Sequence, residues 1–301
     1  MSSLTMESGT ADFLHLLEDQ VHTLHDDGKV DQARQAADTA VGKARSTVGS
    51  DADSKNELAH SLEVKADLHR SQGEMDEATA DYQEALGLLG FDRGNDEAIG
   101  RVCASLAVVH DSEERTIEAK SLYERSIACF ERLTPPALLD VADLSNNLAF
   151  IYEAEDNFDQ AETLFLKALR ISHEEFGQDH EQTASFCNNV GGLYFKADYA
   201  EQAREMHMMA LESRTKLLGE QHLDTAQSHA NLALVYVKSD EINSAKRHFD
   251  SALKAYEGNL AEGAADYEIT VANYSDVLKS LGEEKAAQDL EKRAADQLAK
   301  A

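Results

Sequence analysis

Four asparagines, Asn147, Asn189, Asn231 and Asn273, return at a constant interval of 42 residues. A side-chain amide both donates and accepts hydrogen bonds, so a column of amides has two possible uses. It can hold the backbone of an extended peptide regardless of that peptide's sequence, or it can tie neighbouring helices together. Asparagine is a mediocre helix former, so its return at equivalent places asks for one of these reasons. One helical turn further on stand Phe150, Glu153, Phe195, Lys196, Leu234, Val237, Lys238 and Lys279. They make an apolar strip edged by lysines, suited to a ligand that carries hydrophobic and acidic side chains.

Sharper chemistry fails on spacing. His173 and Glu174 begin a zinc-protease pattern, but the position four after the histidine is Gly177, so two ligands cannot share one helical face. Asp51 and Asp53 start like a calcium loop, which Lys55, Asn56 and Leu62 then spoil. His180 and His222 recur at equivalent junctions between apolar runs, where a hydrogen bond at the helix junction is the expected role. Phosphate loops, dinucleotide fingerprints and nucleophile elbows do not occur. Cys103, Cys129 and Cys187 form an odd, scattered trio without CxxC spacing, as expected of reduced packing thiols. The sequon at Asn273, Tyr274 and Ser275 falls inside a helical run and reads as coincidence. No catalytic, cofactor-binding or metal-binding residue is expected, and the chain reads as non-enzymatic.

The elements that must position the amides share their period. Ala161, Ala203, Ala245 and Ala287 also repeat at 42 residues. Ala149, Tyr152, Ala161, Phe165 and Ala168 are matched by Gly191, Tyr194, Ala203, His207 and Ala210, then by Ala233, Tyr236, Ala245, Phe249 and Ala252. Within each set the small and aromatic residues fall at helical spacing on two runs separated by a brief polar stretch, the pattern of an antiparallel helical hairpin. A fixed period of this length marks a solenoid whose units bury their apolar faces only against neighbours. Seven units are expected, over 12–49, 53–91, 94–134, 137–178, 179–220, 221–262 and 263–301, forming one elongated all-α domain. Pro135 and Pro136, the two prolines of the chain, are expected to end one helix and open the next, and Gly90 to Asn95 reads as a linker.

These spacings resemble the tetratricopeptide repeat. Ordinary repeats of that family have 34 residues, so each unit here carries roughly eight more. The long form resembles kinesin light chain repeats, most clearly in LSNNLAFIYEAEDNFDQAETLFLKALRISHEEFGQDHEQTA from Leu144 and FCNNVGGLYFKADYAEQAREMHMMALESRTKLLGEQHLDTA from Phe186. The linkers GQDHEQTA and GEQHLDTA are similar to that family's linker, with Glu181 and Leu223 where it usually has proline. Only about 15 residues precede the first expected helix, too few for a motor-docking coiled coil. What remains looks like the repeat-only bacterial kinesin light chain proteins that accompany bacterial tubulin-like proteins.

The resemblance implies a right-handed superhelical solenoid with Asn147, Asn189, Asn231, Asn273, Phe150, Phe195, Lys196, Leu234, Lys238 and Lys279 lining a concave partner-binding groove. It also implies a protein partner, a bacterial tubulin-like filament that the scaffold binds and stabilises. The alternative is an adaptor that recognises a linear peptide motif and has no link to a cytoskeleton.

Charge narrows the partners further. With 28 basic residues among 57 acidic ones, a net charge of -29 and a pI near 4.6, the chain lacks the clustered cations that nucleic acid requires. Attachment to an anionic membrane is disfavoured for the same reason. The opening MSSLTMESGTADF has neither a basic region nor an apolar run, so a cytoplasmic protein, placed on the cytoskeleton by its resemblance, is expected.

Overall fold

The computed structural model describes residues 2–90 and 92–300, with side chains from Phe13 onward. Fourteen α-helices fill the described residues, and no strand occurs among them. In chain order they are α1 (Ser2–Asp26), α2 (Val30–Thr47), α3 (Ala52–Ser71), α4 (Met75–Leu89), α5 (Asp96–Ser112), α6 (Thr116–Arg132) and α7 (Leu138–Ala154). They continue with α8 (Phe158–Phe176), α9 (Glu181–Lys196), α10 (Ala200–Leu218), α11 (Leu223–Lys238), α12 (Ile242–Glu257), α13 (Leu260–Ser280) and α14 (Glu284–Leu298). Within each of its two parts the chain is a helical-repeat fold of successive hairpins. It divides into two compact units, Met1–Leu144 and Ser145–Ala301.

Two details differ from the sequence reading. Helix α1 starts at Ser2, well ahead of the expected position. Pro135 and Pro136 lie between α6 and α7 rather than opening α7, which begins at Leu138. The expected linker after α4 contains a single 3-10 turn at Arg93–Asn95.

In the first unit, paired helices meet through alanines. Ala66 of α3 shares a core cluster with Ala78 and Ala85 of α4, and Ala107 of α5 and Ala119 of α6 lie on paired helices, all of them fully buried. A methyl group lets two backbones approach closely, while Tyr82 and Tyr123 fill the wider gaps with fully buried rings. Each such ring contributes about 1.5–3 kcal/mol on burial.

The second unit repeats this with Ala149, Ala161 and Phe165, then Ala233, Ala245 and Phe249. Its middle hairpin departs from the pattern. There Gly191 replaces the alanine and a buried His207 replaces the phenylalanine. A methyl group on Gly191 would sit 2.8 Å from the His207 ring, so glycine is required by contact rather than by backbone conformation.

One device closes every hairpin. A residue with positive φ follows the first helix: Gly28, Gly73, Glu114, Asp156, Asp198, Asp240 and Gly282. The next residue donates its N–H five residues back, as from Asn157 to Tyr152, Tyr199 to Tyr194 and Glu241 to Tyr236, at 2.8–2.9 Å. This is the left-handed C-terminal motif that satisfies orphan carbonyls. At the junctions between hairpins, His180 and His222 cap α9 and α11, each Nδ1 accepting the N–H two residues on.

Candidate functional site

The first helices of three successive hairpins, α7, α9 and α11, border an open cavity of about 180 Å³ within the second unit. Asn189, Asn231, Phe150, Phe195, Lys196 and Leu234 line it, so six of the ten residues expected in the groove come together. Asn147, Asn273, Lys238 and Lys279 do not line this cavity. Phe150 is 44 % exposed and packs its edge against the buried Phe165 ring, with centroids 4.9 Å apart.

The amides form a cross-linked ladder. Asn189 Nδ2 donates to Asn146 Oδ1 at 2.8 Å, and Asn231 Nδ2 donates to Asn188 Oδ1 at 2.8 Å. Each bond joins one repeat to a residue 43 positions earlier. Asn188 Oδ1 also faces His207 Nδ1 at 3.1 Å, and since that oxygen only accepts, the imidazole holds its proton on Nδ1. Burial pushes the His207 pKa down to about 4, helped by the positive charge of Arg214, and keeps the ring neutral. Asn273 finds Ala230 at the equivalent offset, which has no side-chain oxygen to offer. The inner rungs therefore spend one donor on the stack.

The lysines do not flank the strip as unattached charges. Lys196 pairs with Glu153 at 2.8 Å, Lys279 with Glu291 at 2.7 Å, and Lys238 with Asp198 at 2.7 Å. Lys238 also donates to the Phe195 carbonyl at 2.9 Å and lies 4.8 Å from the centre of that ring. Local charge is largely cancelled, and what remains at the cavity is apolar surface with amide groups.

Sequence reasoning missed Asn146, Asn188, Gly192 and His207. The doublets Asn146–Asn147 and Asn188–Asn189 were the available signal, since the leading residue of each accepts from the following repeat. Gly192 also lines the cavity, and a side chain added there would meet open space. Cys187, beside the ladder, is 1 % exposed, and burial raises its thiol pKa to about 11. A larger cavity of about 680 Å³, bordered by Met208, Tyr236, His248, Glu201 and Glu205, opens against α10, α11 and α12. No helix among the described residues is long and apolar enough to cross a membrane.

Stacked helical hairpins whose first helices present a side-chain cavity define a helical-repeat scaffold suited to binding other proteins. More narrowly, the chain carries tetratricopeptide repeats: family models described as tetratricopeptide repeat match residues 140–201 and 186–258, and residues 59–88. No curated protein matches the chain. Among solved structures it is similar to BtubC (BKLC) from P. vanneervenii, with 26% identity over 76% of this chain and 91% of that one, at a TM-score of 0.64. A kinesin-light-chain-like chain from Podospora anserina with nearly identical TPR-like repeats shares 15% identity over 69% of this chain and 98% of that one, at a TM-score of 0.58. The STAND protein PH0952 of Pyrococcus horikoshii, with its tetratricopeptide repeat sensor, matches 96% of this chain but 42% of its own length, at 12% identity and a TM-score of 0.75. The last two likenesses speak to fold alone.

Proposed function

We propose that the chain is a non-catalytic scaffold that binds an extended segment of a protein partner along the asparagine ladder, and that this partner is a bacterial tubulin-like filament. The observation that carries the binding reading is the convergence of Asn189, Asn231, Phe150, Phe195 and Leu234 on one open cavity. Amides there read backbone, and the apolar strip takes a hydrophobic side chain. The filament reading rests on the 42-residue kinesin light chain type of repeat and on the similarity to BtubC.

With Lys196 and Lys238 already paired to carboxylates, contact at the cavity depends on apolar burial and hydrogen bonds rather than on charge. A scaffold that touches more than one subunit favours polymer over free subunits, since a ligand shifts an equilibrium only by its differential affinity for the two states.

The test is co-sedimentation with polymerised and unpolymerised bacterial tubulin, using the wild type and Gly192→Phe. Because Gly192 faces open space at the cavity, a phenyl ring there obstructs the groove without entering the core. Pelleting with polymer alone, lost in Gly192→Phe, is expected. Pelleting that survives the substitution would move the contact off the ladder. Absence of pelleting at every salt concentration would remove the filament and leave the peptide adaptor.

A further inference from the structure

A second cluster of chemical groups lies in the first unit, between α1 and α3. Glu18 of α1 is only 4 % exposed. Its Oε1 accepts from Ser61 Oγ at 2.7 Å, while its buried Oε2 accepts no hydrogen bond. That oxygen lies 3.4 Å from Nδ1 of His15 and 3.5 Å from Nε2 of His60. The ligand-type atoms of all three residues fall within 4.8 Å of one another.

These distances have a specific meaning. A tetrahedral ion with bonds of about 2.0–2.1 Å sets its ligand atoms about 3.3 Å apart. Two of the three edges are already close to that length, and His15, with its side chain 69 % exposed, is free to turn and shorten the third. The surroundings orient the ligands as well. His60 Nδ1 lies 3.3 Å from Glu63 Oε2, and Arg101 holds both oxygens of Glu63 at 3.0 Å. With Nδ1–H directed at that carboxylate, Nε2 presents its lone pair towards Glu18, the outer-shell arrangement of metal-binding histidines. Ser61 fixes the Glu18 carboxylate in the same way.

We propose that His15 Nδ1, Glu18 Oε2 and His60 Nε2 bind a Zn²⁺ ion, with a fourth position open to the cavity of about 330 Å³ beside them. Two imidazoles and one carboxylate suit zinc and its late first-row neighbours, while Ca²⁺ and Mg²⁺ ask for more oxygens. Bound there, the ion staples α1 to α3 and satisfies the buried carboxylate oxygen.

The full-length protein, stripped with chelator, is titrated with Zn²⁺ by calorimetry in excess Mg²⁺ to suppress diffuse binding to the acidic surface. Co²⁺ serves as a spectroscopic probe of four-coordinate geometry. One tight equivalent is expected, with intense visible Co²⁺ absorption that Zn²⁺ abolishes. Glu18→Gln and His60→Gln should weaken Zn²⁺ at least about tenfold. His15→Gln should do the same, and its exposure makes a folding defect an insufficient explanation of the loss. His248→Asn, a control outside the cluster, should leave the affinity unchanged. Wild-type binding no tighter than that of His15→Gln, or no four-coordinate Co²⁺ spectrum, would overturn the site.

Discussion

Asn231 Nδ2 donates to Asn188 Oδ1 at 2.8 Å across neighbouring hairpins, and His207 Nδ1 reaches the same oxygen at 3.1 Å. One carbonyl therefore fixes both the registration of α11 on α9 and the tautomer of a buried imidazole. The ladder serves the stack and the cavity at once. Asn189, bonded to Asn146, follows the same rule.

Asn188→Ala should destabilise the protein more than any other single ladder change. It breaks the inter-repeat bond and leaves the His207 donor buried without an acceptor, a cost of about 1–3 kcal/mol. Asn273→Ala, which removes an amide with no side-chain oxygen at the equivalent offset, should stay within about 0.5 kcal/mol of wild type. Urea denaturation of the two variants checks this. Equal losses would mean that the ladder bonds are not the stabilising element.

Gly191→Ala should lower stability by about 1–3 kcal/mol, since its methyl group would press into the His207 ring. Adding His207→Phe should recover much of the loss, because it recreates the combinations that the flanking hairpins tolerate, Ala149 with Phe165 and Ala233 with Phe249. Thermal unfolding of the single and double variants measures the coupling. A double variant no more stable than Gly191→Ala would show that the two positions do not share one space.

How much of this was legible in the sequence follows from the range of each interaction. Hairpins and their alanine contacts were legible because Ala149, Ala161 and Ala168 act within one repeat, where spacing alone dictates which residues meet. The His180 and His222 caps were legible for the same reason, as each bonds two residues along. The partner of Asn231 was not, because a contact 43 residues back depends on how one hairpin is turned on the next. The state of Lys196 and Lys238 was hidden likewise, since each ends on a group of the preceding repeat. His15 and Glu18 sit three apart on one helix, but the third donor, His60, stands on another, and no short motif brings it near.

Asp156 and Asp240 carry positive φ values of 56° and 59° at hairpin turns where Gly73 and Gly282 stand elsewhere. Left-handed backbone is strained for residues with a Cβ, and a negative side chain beside a helix C-terminus opposes the dipole. Asp156→Gly and Asp240→Gly should each raise stability by about 0.5–1 kcal/mol, net of the extra freedom glycine gives the unfolded chain. Asp198→Gly should gain less, because that carboxylate pairs with Lys238 at 2.7 Å. Chemical denaturation of the three single variants tests the order. An Asp198→Gly gain matching the other two would remove Lys238 from the account.

Acid should weaken the second unit through His207. Its folded pKa is about 4 against an ordinary 6.5, so between these values the unfolded chain holds a proton that the folded ring refuses. Stability from this group is complete above about pH 6.5 and falls as pH drops towards 4, by at most about 3 kcal/mol. His248, also lowered to about 4 by burial and the neighbouring His229, works in the same direction with a more exposed ring. General acid effects on the many carboxylates are removed by comparison with His207→Phe, which has no proton to take up. The stability gap between wild type and His207→Phe should shift against the wild type across this window and hold constant above it. A gap independent of pH would mean that His207 is protonated in the folded chain, and that Asn188 faces an imidazolium.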